Sequence, residues 1–206
     1  MKVYLYVLDT LADWEIGYIL PELNTGRYFS DKNKRVEIIK ISNSLEVIKT
    51  MGGIEIHPDK LISEIKFEKD DILILPGSNI WMEPQNSEII TTAKNLLENN
   101  IKVCAICGAT SALAEAGILD TRKHTSNDKD YLEMFCNNYK GSENYINAPA
   151  VVCENLITAG GLASLEFSFE VLKSTNLFDL KVLESWYNLH KTREPKYYFE
   201  LMNCLS

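Results

Sequence analysis

Five cysteines and three histidines are the side chains of this 206-residue chain best suited to nucleophilic or proton-transfer chemistry, and their placement separates them. Cys107 stands in Val103-Cys104-Ala105-Ile106-Cys107-Gly108-Ala109-Thr110-Ser111-Ala112-Leu113, where a short apolar run passes into a segment rich in Ala and Leu. The pattern reads as strand, sharp turn and helix, with Cys107 at the turn. Gly108 and Ala109 are small enough for a tight bend that exposes the sulfur, and the positive end of the following helix favours thiolate over thiol. Against this stands the plain reading of an inert cysteine filling a turn, since free cysteine is among the most buried residue types. The setting at a strand-to-helix turn favours the nucleophile.

The other cysteines, Cys104, Cys136, Cys153 and Cys204, lack such a setting, and Cys104 falls inside the apolar run as strand packing. Cys104 and Cys107 form a C-x-x-C, yet three residues of extended chain separate their α-carbons by roughly 10 Å, beyond the roughly 7 Å that a disulfide spans. No second ligand pair lies at zinc spacing, so neither a metal site nor a cofactor is expected. An odd cysteine count without a secretory signal leaves at least one thiol unpaired and most reduced.

Positioning Cys107 requires elements on either side of it. Apolar runs at Val3 to Leu8, Val36 to Ile41, Ile72 to Leu75, Val103 to Ile106 and Leu156 to Thr158 read as strands buried on both faces. Between them, Ile16, Ile19, Leu20 and Leu23, then Ile89, Ile90, Ala93, Leu96 and Leu97, then Leu113, Ala114 and Ala116 follow helical spacing. Alternating strand and helix predicts a doubly wound α/β domain with a mostly parallel sheet. Glu46 to Ile56, around Gly52-Gly53, reads as a hairpin or two edge strands, and Ser142 to Val152 as a further strand pair. Asp179 to Met202 has helical spacing and docks on the domain or on a second subunit. No linker divides the chain, so residues 1–206 are read as one domain.

In open α/β sheets the groups that do chemistry gather beyond the carboxyl ends of strands. Those segments are Asp9 to Trp14, Pro76 to Trp81, Cys107 to Thr110 and Gly160-Gly161. Lys and Arg number 21 against 29 Asp and Glu, giving 21 − 29 = −8, with the acidic residues scattered. That balance argues against nucleic acid as a partner. The N-terminal apolar run reaches Asp9 too soon for a signal peptide or membrane span, so a cytoplasmic protein without membrane attachment is expected.

The segment from Cys104 to Asn127, with AICGATSALAEAGILDTRKHTSN as its core, resembles the signature of the ThiJ/PfpI family. The likeness extends to Asp13-Trp14-Glu15, Leu75-Pro76-Gly77-Ser78, Leu156-Ile157-Thr158-Ala159-Gly160-Gly161 and Glu166-Phe167. The family includes intracellular cysteine peptidases, chaperone-like and glyoxalase-like proteins, and relatives of class I glutamine amidotransferase domains. Resemblance implies a flavodoxin-like three-layer sandwich, assembled as a homodimer or larger, acting on a small molecule or peptide.

It also implies roles. Glu15 matches the acidic partner of the elbow cysteine and, to donate a hydrogen bond to a thiolate, needs a raised pKa; the alternative is an ordinary solvated Glu early in a helix. Backbone N–H groups of Gly77, Ser78 and Gly108 match the oxyanion hole, with Ser78 where the family usually has a second Gly. Asn127 stands where peptidase-like members carry His, and Asn exchanges no proton near neutral pH. His124 lies three residues away on an extended segment, facing opposite to Asn127, and reads as a surface or packing residue. His57 and His190 have weaker claims, and Asp128 reads as a helix cap. The chain also lacks the late His-x-Glu pair of amidotransferases. The expected function is a cysteine-dependent hydrolase of protease or amidase type; the alternative is a redox or stress protein whose low-pKa Cys107 is oxidised.

Overall fold

The structure is a computed structural model that describes residues 1–205. In chain order it contains β1 (Lys2–Tyr6), α1 (Asp13–Ile16), α2 (Ile19–Thr25), β2 (Glu37–Ser42), β3 (Ile48–Lys49), β4 (Glu55–Ile56), β5 (Lys60–Leu61) and β6 (Ile72–Leu75). There follow α3 (Ser87–Glu98), β7 (Lys102–Ile106), α4 (Gly108–Glu115), α5 (Lys129–Phe135), β8 (Ala150–Cys153), β9 (Leu156–Ala159), α6 (Ser164–Ser174), α7 (Leu180–Thr192) and α8 (Pro195–Leu205).

Seven strands form one sheet in the order β5-β2-β1-β6-β7-β9-β8, all parallel except β8 against β9. Every residue of β6 and β9 is buried, which is why these strands appear in sequence as unbroken apolar runs and not as alternation. α6 packs on β7, β8 and β9 and touches α1 and α2, while α3 packs on β7. The result is the expected flavodoxin-like α/β sandwich. Chain direction across the sheet reverses between β1 and β6, so the loops after β1, β6 and β7 converge on one crevice.

At the sheet margins one segment follows expectation and one differs. β3 and β4 form the anticipated hairpin, separate from the main sheet. Ser142 to Val152 does not pair with itself: residues 142–144 make a 3₁₀ turn, and only β8 is a strand, antiparallel to β9. The polar stretch Ser142 to Asn147 has no apolar face to bury, so it crosses as a loop, pinned by a bridge between His124 and Tyr145. Among the described residues no helix is long and apolar enough to cross a membrane.

The C-terminal helices dock on their own domain. Trp186 of α7 is 1% exposed, and its indole N–H donates to Glu22 Oε1 of α2 at 3.0 Å. Glu22 is also buried and is held by Arg27, whose Nε donates to Oε2 at 2.8 Å and whose Nη2 donates to Oε1. The carboxylate thus ties α7 to α2 through hydrogen bonds to charge, each stronger than a neutral one. Trp186→Phe is expected to destabilise the fold by about 2–3 kcal/mol, combining a partial cavity with a lost hydrogen bond to a buried carboxylate. Urea unfolding reads this directly; a loss below about 0.5 kcal/mol would show that Arg27 alone satisfies Glu22.

Candidate active site

Cys107 directly follows β7 and precedes the first residue of α4, with φ 59° and ψ −125°. That backbone is uncommon for any residue but Gly and stores roughly 1–3 kcal/mol. It is held from both sides. The Cys107 N–H donates to Ala159 O at 3.0 Å, continuing the β7–β9 ladder, and the Cys107 carbonyl accepts from the Thr110 N–H at 3.0 Å and its hydroxyl at 2.6 Å. The ladder and the helix start together force the sharp bend that lifts the sulfur into the crevice.

Close approach around the sulfur depends on absent side chains. A Cβ on Gly161 would sit 2.7 Å from Cys107 Sγ and 3.2 Å from Glu15 Oε1. One on Gly77 would sit 2.7 Å from Glu15 Oε1 and 2.9 Å from Cys107 Cβ, and one on Gly108 would lie 2.7 Å from the Ser78 carbonyl oxygen. The loops at Gly77 and Gly161 therefore close on Cys107 and Glu15, and the Cys107 turn closes on the Ser78 loop at Gly108, to distances that only glycine permits.

Glu15 is fully buried on α1, and its Oε2 accepts the Gly77 N–H at 2.5 Å. Oε1 is buried without a hydrogen bond, beside the thiol. Burial pushes the carboxyl up to about 7, against the lowering pull of the Gly77 N–H and of Cys107. Glu15 is thus not a solvated surface residue.

Burial, and then the charge of an ionised Glu15, push the Cys107 thiol above its ordinary value; the Asn127 amide pulls it down, and so does the Gly108 N–H. The thiolate expected from the helix start is therefore not the resting form. Partial burial strips water from the sulfur on the side away from the cleft, and a carboxyl that ionises first repels a second negative charge.

Asn127 is oriented by its own two contacts. Its Oδ1 accepts the Gly161 N–H at 2.7 Å, which turns Nδ2 toward Cys107 Sγ as a donor at 3.3 Å. Gly161 O in turn accepts the Trp14 indole N–H at 3.1 Å. Trp14, Gly161 and Asn127 form a chain of contacts ending at the sulfur.

The three oxyanion candidates are not equivalent. The Gly77 N–H is engaged by Glu15, which corrects its expected role as a donor to substrate. Among the described residues the Ser78 N–H has no acceptor, and the Gly108 N–H points its charge at the sulfur side of the turn. The Ser78 hydroxyl bonds Asp9 O at 2.7 Å and lies 2.9 Å from Thr10 Oγ1, so the side chain that replaces glycine braces the turn without filling it.

The histidines stand apart. His124 is buried, with Nδ1 2.7 Å from Arg122 O and Nε2 2.7 Å from the Tyr139 hydroxyl, and burial lowers its pKa. It packs between Tyr139 and Tyr145 and is no displaced base. Asp128 Oδ1 accepts the Tyr131 N–H at 2.9 Å as the cap of α5. Cys104 is fully buried in β7, its thiol pushed up to about 12 by burial.

The sulfur opens into a cleft of about 770 Å³ walled by Trp14, Asn127, Tyr145, Asn147, Leu162 and Glu166, among others. The sequence places Trp14 and Gly161 near strand ends and Glu166 in the family resemblance, but does not show the close approach of Gly161 to the sulfur or that Glu166 lines the cleft. The rule that function lies beyond strand ends pointed to Gly160-Gly161; nothing local distinguishes Glu166 from a helix-surface residue.

A sequence profile of the DJ-1/PfpI family matches residues 1–174. The chain belongs to the DJ-1/PfpI family. Its similarity to the uncharacterized protease YoaZ of Bacillus subtilis is 47% identity over 205 residues, covering 100% of this chain and 98% of that protein. A deglycase of Thermococcus kodakarensis is 27% identical over 127 residues, 61% of this chain and 72% of its own length. The solved structure of a ThiJ/PfpI family protein from Bacillus anthracis superposes with a TM-score of 0.96 at 49% identity, covering 98% of this chain and 95% of that one. α7 and α8 lie outside the residues matched to the DJ-1/PfpI family, yet the B. subtilis and B. anthracis relatives are matched across almost the whole chain.

Proposed function

We propose that this DJ-1/PfpI protein is a cysteine-dependent hydrolase of small amide or other activated acyl substrates, with Cys107 as nucleophile and Glu15 as its acid–base partner. One observation carries the reading: the buried Glu15 carboxyl, ionising near 7, turns Oε1 to the Cys107 thiol, and among the described residues no other group bonds that oxygen. A base with that pKa is matched to neutral pH and supplies the proton transfer that Asn127 cannot.

As the sulfur adds to the carbonyl carbon, Glu15 takes the thiol proton and the N–H groups of Ser78 and Gly108 bear the oxyanion. Glu15 returns the proton to the departing amine as the C–N bond breaks. Water then attacks the thioester, yielding the acid and restoring the thiol. The names of the B. subtilis and T. kodakarensis relatives support a hydrolase. The reading places the protein in the cytoplasm as a homodimer.

Wild-type protein and Cys107→Ala are compared on a panel of small amides and peptide amides. Turnover is expected to fall by about a thousand-fold or more in the variant and, in the wild type, to rise through pH 7 as Glu15 ionises. Turnover that survives in Cys107→Ala removes the reading. The oxidation-sensor alternative draws on the donors Asn127 and protonated Glu15, which suit an oxidised sulfur as well. Stoichiometric addition of two oxygens to Cys107 by peroxide, with no substrate turned over, would favour it.

A further inference from the structure

Besides Cys107 itself, Glu166 is the acidic side chain that lines the cleft, and no lysine, arginine or histidine lines it. Glu166 sits in the first turn of α6 with its side chain only 26% exposed. Its Oε1 accepts the Tyr187 hydroxyl at 3.0 Å and lies 3.7 Å from Lys191 Nζ. Among the described residues Oε2 accepts no hydrogen bond, and it is not one of the buried polar atoms left without a partner, so it reaches solvent. Lys191 is itself 54% exposed and donates to the Tyr187 hydroxyl at 2.6 Å, so water and salt screen most of its charge. The neighbouring Glu170 faces Lys173 at 3.9 Å.

The remaining walls fit the same kind of ligand. Trp14, 52% exposed, and Tyr145 bring aromatic rings to the cleft, and rings beside a carboxylate form the surroundings that attract ammonium and guanidinium groups. Buried Glu15 adds negative charge beneath the sulfur whenever it is ionised. A net charge of −8 adds to the field at longer range.

We infer that the Cys107 cleft selects substrates carrying a cationic nitrogen close to the electrophilic carbon, and that Glu166 makes the selection. The inference rests on Cys107 being the reactive thiol and adds a substrate class to that reading. Tyr187 and Lys191 belong to α7, so the C-terminal helix sets the orientation and residual charge of the selecting carboxylate.

Charged thiol reagents test this without a natural substrate. Methyl methanethiosulfonate, its trimethylammonioethyl analogue and its sulfonatoethyl analogue each form a mixed disulfide with the attacking thiolate and release methanesulfinate. Rates at Cys107 are read by peptide mass mapping at about pH 6, where Glu15 is mostly protonated, and divided by the neutral reagent's rate. The exposed Cys204 is followed in the same digest as the reference for an ordinary surface thiol.

The cationic reagent is expected to outpace the anionic one by about ten-fold at Cys107, from attraction to Glu166 in a partly screened cleft together with the negative field of the rest of the chain. Glu166→Gln, which keeps the shape and the Tyr187 hydrogen bond, should reduce that preference by about three-fold, and Lys191→Met should increase it. No charge preference in the wild type, or one unchanged by Glu166→Gln, overturns the inference while leaving Cys107 a reactive thiol. Failure of Cys107 to react with the neutral reagent overturns the nucleophile reading and this one together.

Discussion

Glu15→Gln is expected to make the protein more stable than the wild type at alkaline pH, by on the order of 3 kcal/mol. A carboxyl that ionises at about 7 in the fold and at 4.5 when unperturbed favours the folded state only while protonated. Its contribution is complete below pH 4.5, drains away as the pH rises toward 7, and stays lost above that. Each pH unit between the two values is worth about 1.4 kcal/mol. Gln carries no charge, accepts the Gly77 N–H and donates to the sulfur, so its stability curve lacks that slope. Urea midpoints from pH 4 to 9 for both proteins measure the difference; parallel curves would mean that Glu15 ionises normally and that water reaches Oε1. On the proposed mechanism the same variant loses roughly 10²–10⁴-fold in turnover, because the proton acceptor is gone. A stabilised but inactive variant is the signature of strain retained for chemistry.

Gly161→Ala is expected to have the opposite profile, with loss of both stability and reactivity. The new methyl group would stand 2.7 Å from Cys107 Sγ, 3.0 Å from Cys107 Cβ and 3.2 Å from Glu15 Oε1. The Cys107 sulfur and Cβ sit on a fixed turn, and Glu15 is held by burial and the Gly77 N–H, so the loop after β9 must shift. That shift pulls the Gly161 N–H from Asn127 and the Gly161 carbonyl from Trp14. Overpacking of this kind costs about 1–3 kcal/mol, and Cys107 alkylation is expected to slow by about a hundred-fold. The adjacent Leu162 is fully exposed, and Leu162→Ala should change stability by less than about 0.5 kcal/mol. If Gly161→Ala alkylates at the wild-type rate, the sulfur is approached from another side and the cleft described here is not its route.

Much of the scaffold is legible in the chain because burial leaves local traces. β1, β6, β7 and β9 each coincide with an apolar run, since a parallel strand covered on both faces tolerates few polar residues, whereas β2 is only partly covered and keeps Glu37 and Lys40 among its apolar residues. The edge strand β5 was missed: Lys60–Leu61 is too short to carry a pattern. β8 was placed in a strand pair of its own, whereas it pairs with β9, because pairing partners are not encoded by periodicity. Cys107 was legible because strand, small residues and helix are contiguous in sequence. His124 was read correctly as lying away from the site, but its burial against Tyr139 and Tyr145 depends on residues 15 and 21 positions later.

By itself, the sequence determined a doubly wound α/β domain, an elbow cysteine, its family resemblance and the replacement of the family's histidine by Asn127. These follow from contiguous patterns: apolar periodicity, turn-forming small residues and a motif read in one stretch. Tertiary structure alone decided the protonation chemistry. Glu15 titrates near neutrality because Gly77, Cys107 and Gly161, distant in sequence, exclude water from it, burial and its charge hold Cys107 as a thiol, and the Gly77 N–H is taken up by Glu15. Desolvation and charge coupling act through space over a few ångströms, between residues separated by 62 positions in the case of Glu15 and Gly77, and no local pattern in the chain records them.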